Sequence, residues 1–87
     1  MSRSMAAFMS GFIDGLSSHP NAVSHLVVTI EGEAIGISAR LDQGQTLMWE
    51  GAISTETSPD EAKTAGGHLS YDLLLSKIMS SKPEYWR

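Results

Sequence analysis

The sequence predicts an α+β fold: a two-layer sandwich in which a three-stranded antiparallel meander is flanked by N- and C-terminal helices (α-β-β-β-α), with a short extra helix in the linker between the third strand and the last helix. Three observations carry this. Apolar residues recur at three- and four-residue steps near the N-terminus, the signature of one helical stripe. Between residues 24 and 54 they alternate with polar ones, interrupted by two glycine-bearing turns. Helical spacing returns after residue 70. At 87 residues the chain makes a single α+β domain, 1–87, whose core is small because so short a chain buries only a little more than roughly 60% of its unfolded surface.

The first helix is expected over 4–17. Met5, Phe8, Met9, Phe12, Ile13 and Leu16 form its apolar stripe. Gly11 and Gly15 each weaken a helix by roughly 1 kcal/mol relative to Ala. Two readings accommodate them: close backbone approach on the Ala7–Gly11–Gly15 side, against another helix or a second copy, or loose glycines that the fold tolerates. The apolar residues here are interrupted by Ser10, Gly11, Asp14 and Gly15, so the segment reads as a folded helix rather than a signal peptide. Pro20 holds His19 in extended geometry and ends the helix.

Three strands follow, over 24–31, 33–41 and 45–54. In the first, Leu26, Val28 and Ile30 point one way and His25, Val27, Thr29 and Glu31 the other. Glu31-Gly32 suits a two-residue hairpin loop; closing it at Ile30–Glu33 sets Val28 opposite Ile35 and His25 opposite Ser38. Asp42-Gln43-Gly44 suits a three-residue loop with glycine at the left-handed third position. That loop pairs Leu41 with Gln45, Ala39 with Leu47 and Ile37 with Trp49, which puts Trp49 on the core face. The outer face then has a low middle (Ala34, Gly36, Ser38) between higher sides (His25, Val27, Thr29 and Met48, Glu50).

Ser58-Pro59-Asp60-Glu61 has the capping-box form, and predicts a short helix over 59–65. Gly66-Gly67 is expected to stop or hinge it. A last helix is expected over 70–80, with Tyr71, Leu74, Leu75, Ile78 and Met79 inward and Leu73 exposed. An aromatic tail, 83–87, carries Tyr85 and Trp86, which need a partner surface on this chain or another.

The formal charge of −4 is uneven: residues 31–61 carry −6 and the remainder +2. An acidic surface repels nucleic acid and anionic lipid and attracts basic partners. No direct nucleic-acid or membrane binding is expected, and a cytoplasmic location is. The chain has no cysteine, which excludes disulfides and thiolate chemistry. No phosphate-binding glycine loop is present, and His19, His25 and His68 have no metal-ligand spacing. His25, Ser38 and Glu50 share the outer face, but a flat sheet offers neither a dry pocket nor an oxyanion hole. The expectation is therefore no enzyme, no cofactor and no metal.

The function expected is that of a small acidic protein-interaction module, an inhibitor or decoy that docks its sheet and loop surface on a basic partner, such as a nucleic-acid-binding protein, and that self-associates as a homodimer. The residues expected to touch a partner are His25, Glu31, Glu33, Gly36, Ser38, Met48, Glu50, Tyr85 and Trp86. The alternative is a small-molecule binder with a pocket between sheet and helices, lined by Met9, Phe12, Trp49 and Met79.

Overall fold

The structure is a computed structural model and describes residues 1–42 and 44–78. Its elements run α1 (Arg3–Ser17), β1 (Val23–Glu31), β2 (Ala34–Leu41), β3 (Thr46–Ala52) and α2 (Pro59–Ile78). The expected helix, antiparallel meander and helix are all present, with strand order β1-β2-β3. Among the described residues no helix is long and apolar enough to cross a membrane.

Ser2 caps α1, its side chain accepting the Met5 N–H at 3.0 Å. The helix stops before Pro20, and the His19 N–H turns back to the Leu16 carbonyl at 2.9 Å. Met5, Phe8 and Phe12 are fully buried. Ile13, expected on the inward stripe, is 45% exposed, because the buried arc of α1 is rotated toward Ser4, Gly11 and Gly15, the side that meets α2.

The second hairpin closes as its turn chemistry predicts. The Leu41 N–H donates to the Gln45 carbonyl at 2.7 Å, Gly44 has a φ of +93°, and Ala39 pairs with Leu47 and Ile37 with Trp49. The first hairpin differs from expectation by two residues. Its loop is Gly32-Glu33, Glu31 pairs with Ala34, and Val28 pairs with Ile37. Gly32 has a φ of +63° while no non-glycine residue has a positive φ. Glycine therefore takes the first of the two loop positions, as a type II′ turn requires, and the loop begins one residue later than expected. A slip of two preserves which side chains face inward, so the predicted core face survives. A bulge at Ser24 separates the pairs Val23–Leu41 and His25–Arg40, and the extra residue turns Val23 onto the core side.

The linker helix and the C-terminal helix are one. α2 runs unbroken through Gly66-Gly67, which corrects the expected stop or hinge there. Its start is the expected capping box: the Glu61 N–H donates to Ser58 Oγ at 3.1 Å and the Ser58 N–H to Glu61 Oε1 at 3.4 Å. The helix continues because Gly66 is used for packing against α1. A Cβ on Gly66 would strike the Phe8 carbonyl and the Phe12 amide of α1; one on Gly11 would strike the Lys63 carbonyl, and one on Gly15 the Ser70 side chain. Ser4 Oγ also donates to the Thr57 carbonyl. Close approach to another helix is thus the correct reading: Gly11 meets α2 backbone and Gly15 the Ser70 side chain. This seam sets the phase of α2, burying Ala62, Leu69, Ser70 and Leu73 and leaving Tyr71 62% exposed. The expected inward Tyr71 and exposed Leu73 are therefore exchanged.

One core joins the layers. Met5, Phe8 and Phe12 cluster with Ile35, Ile37, Ala39, Leu41 and Leu47 and with Ala62, Leu69 and Leu73. Phe8 stacks on Trp49 with ring centroids 6.0 Å apart. Both helices therefore lie on the inner face, and among the described residues nothing covers the outer one.

Candidate interaction face

The observed register lays the outer face out in cross-strand rows: His25–Arg40–Thr46, Val27–Ser38–Met48, Thr29–Gly36–Glu50 and Glu31–Ala34–Ala52. Alternation along each strand puts these side chains on one surface. The middle strand contributes small side chains, and its flanks are taller. An open depression of about 460 Å³ results, lined by residues that include Val27, Thr29, Ala34, Gly36, Ser38, Met48 and Glu50.

Two of its walls are apolar and exposed, Val27 at 48% and Met48 at 63%. Its floor is Gly36, where an added Cβ would meet nothing within 4 Å. Gly36 has no positive φ, so neither backbone conformation nor packing requires glycine there. An interior strand glycine weakens a sheet, and this one leaves the trough open.

Charge is graded along the trough. Glu31 and Glu50 lie toward the hairpin end and Arg40 toward the other. Among the described residues, the carboxylates of Glu31 and Glu50 have no hydrogen-bond or ion-pair partner. Glu33 is different: its Oε2 accepts the Thr55 N–H at 3.0 Å, and Ile53 N–H donates to the Glu33 carbonyl at 2.8 Å. Glu33 therefore ties the segment after β3 to the first hairpin and does not line the depression.

Of the expected partner residues, Gly36, Ser38, Met48, Glu50, Glu31 and His25 come together on this face; Tyr85 and Trp86 lie outside the described residues. The expected facing of His25 and Ser38 does not occur. His25 pairs with Arg40, Ser38 sits between Val27 and Met48, and Glu50 pairs with Gly36. The two-residue shift of the first hairpin is the cause. Val27 and Thr29 join the lining without having been among the expected contacts; the signal for Val27 is an aliphatic residue at an outward position of β1.

His19, His25 and His68 are all exposed, on a turn, on β1 and on α2. Among the described residues no three His, Asp or Glu side chains gather as a metal site would need. Of the alternative pocket, Phe12 is fully buried and Met9 and Trp49 pack against the core, while Met79 lies outside the described residues. Comparison with protein-family models, with curated proteins and with solved structures finds no match, so the reading of this face rests on its own geometry.

Proposed function

We propose that this chain is a non-catalytic interaction module whose outer sheet face docks on a basic segment of another protein, in the manner of an inhibitor or decoy. The observation that carries the reading is Gly36. It is a glycine that the fold does not need, placed at the floor of an exposed trough whose apolar walls are Val27 and Met48. The carboxylates of Glu31 and Glu50 at the hairpin end, unpaired among the described residues, supply the charge complementarity. A segment with one apolar anchor for the trough and Lys or Arg reaching toward those carboxylates satisfies both features. A nucleic-acid-binding protein presents such segments, and an acidic face masks them by competing with phosphate.

The test is affinity purification with the wild type and two variants in parallel. Gly36→Leu fills the floor, and Glu31→Lys with Glu50→Lys reverses the rim. Proteins held by the wild type, lost by both variants and rich in basic segments are the expected result. With such a partner, the charge reversal slows association and flattens its salt dependence. Retention of the same proteins by Gly36→Leu sinks the reading.

A further inference from the structure

Among the described residues, no strand pairs with the outer edge of β1. In β2 and β3 the Leu41–Gln45 hydrogen bond shows that odd-numbered residues of β2 bond to β3. Antiparallel ladders alternate, so even-numbered residues of β2 bond to the odd-numbered residues of β1: His25, Val27, Thr29 and Glu31. The N–H and C=O groups of Leu26, Val28 and Ile30 therefore point away from the sheet.

Between the bulge at Ser24 and the loop at Gly32, the regular part of β1 is His25–Glu31, with Val28 at its centre. We infer that two chains join there, antiparallel, with Val28 against its own copy on a two-fold axis. This register makes Val28–Val28 and the two Leu26–Ile30 pairs the hydrogen-bonded ones, so each outward-pointing group of these residues is used. On the outer face it sets His25 beside the copy's Glu31 and Val27 beside the copy's Thr29. An imidazole N–H comes within reach of a carboxylate acceptor, and β-branched residues meet.

The flank of the domain agrees. Leu26, Val28 and Ile30 are only half-buried, whereas Leu47 on the other edge strand is buried. Gly11 and Gly15 of α1 face α2, and Phe8 on that side stacks on Trp49 of β3. Met9, Ile13 and Leu16 lie by helical position on the opposite flank, above β1. Ile13 is 45% exposed, and a shared β1 edge brings this flank toward its copy. The edge of β3 is a poorer template, since Glu50 and Gly51 interrupt it, while β1 has no charge, glycine or proline between His25 and Glu31. The joint is an isologous six-stranded sheet that leaves the trough on each subunit open, so it stands or falls separately from the docking reading.

Sedimentation of the intact chain at tens of micromolar tests it. The wild type is expected at twice the mass of one chain. Val28→Pro removes an N–H that points away from β2, which an edge strand tolerates, and is expected to sediment as a folded monomer by circular dichroism. The register is tested by oxidising an equimolar mixture of Val27→Cys and Thr29→Cys chains, since the natural chain has no cysteine. These positions face each other across a non-hydrogen-bonded pair at about 4.5 Å between Cα atoms, within disulfide reach, whereas each position and its own copy stand roughly 8 Å apart. A covalent dimer in the mixture and not in either variant alone is expected. A monomeric wild type, or cross-linking that is no greater in the mixture than in the single variants, overturns the proposal, including where Val28→Pro does not fold.

Discussion

Gly66 and Gly67 are neighbours in the chain and opposites in packing. Gly66 faces the Phe8 carbonyl and Phe12 amide of α1, and Gly67 faces open space. Alanine improves helix propensity by roughly 1 kcal/mol at either. At Gly66 the new methyl pushes on backbone, which cannot rotate away, and overpacking of that kind costs about 1–3 kcal/mol. Gly66→Ala is therefore expected to destabilise the domain, and Gly67→Ala to stabilise it by about 0.5–1 kcal/mol. Urea titration of both variants reads the two signs directly. A stabilised Gly66→Ala would show that α1 and α2 do not meet backbone to backbone at this point. From the sequence the pair reads as a helix stop, because local preference registers the weakness of glycine in a helix and says nothing of the element it touches.

At the scale of elements, what the sequence makes legible depends on whether the cause is local. The second hairpin is legible to the residue, since a three-residue loop with Gly44 in left-handed geometry allows one register. The first is legible only to within two residues, since Glu31-Gly32 and Gly32-Glu33 both make two-residue loops and both keep the apolar face inward. The phase of α2 is not legible. Its buried side is set by Ala62, Gly66 and Ser70 against α1, and small residues add little to an apolar stripe, so Tyr71, Leu74 and Leu75 dominate the reading instead. The capping box is local and appears as expected. Ser58→Ala removes the acceptor of the Glu61 N–H and is expected to lower stability by about 1 kcal/mol. Ser58→Asp keeps an acceptor beside the helix N-terminus and should retain most of it. Thermal melts compare the two, and an equal loss in both would remove the cap from the account.

For the whole molecule, the outer face was legible as a low-centred surface because strand alternation and small residues on β2 are both visible in sequence. Its row-by-row pairing was not, because it depends on the first hairpin. Among the described residues, the same sheet leaves two surfaces unsatisfied in different ways: a face with side chains to bury and an edge with backbone groups to pair. An 87-residue domain has a small core, so covering half-buried Leu26, Val28 and Ile30 and exposed Ile13 changes its stability appreciably. Association that occurs only in the folded state raises the melting temperature with protein concentration. The wild type is thus expected to melt at a rising temperature across a hundredfold dilution series read toward higher concentration. Val28→Pro should melt at one temperature throughout. Gly36→Leu, which alters the face and leaves the edge intact, should keep the concentration dependence of the wild type. If Gly36→Leu lost that dependence and Val28→Pro retained it, the self-association would belong to the trough, and the edge of β1 would have no part in it.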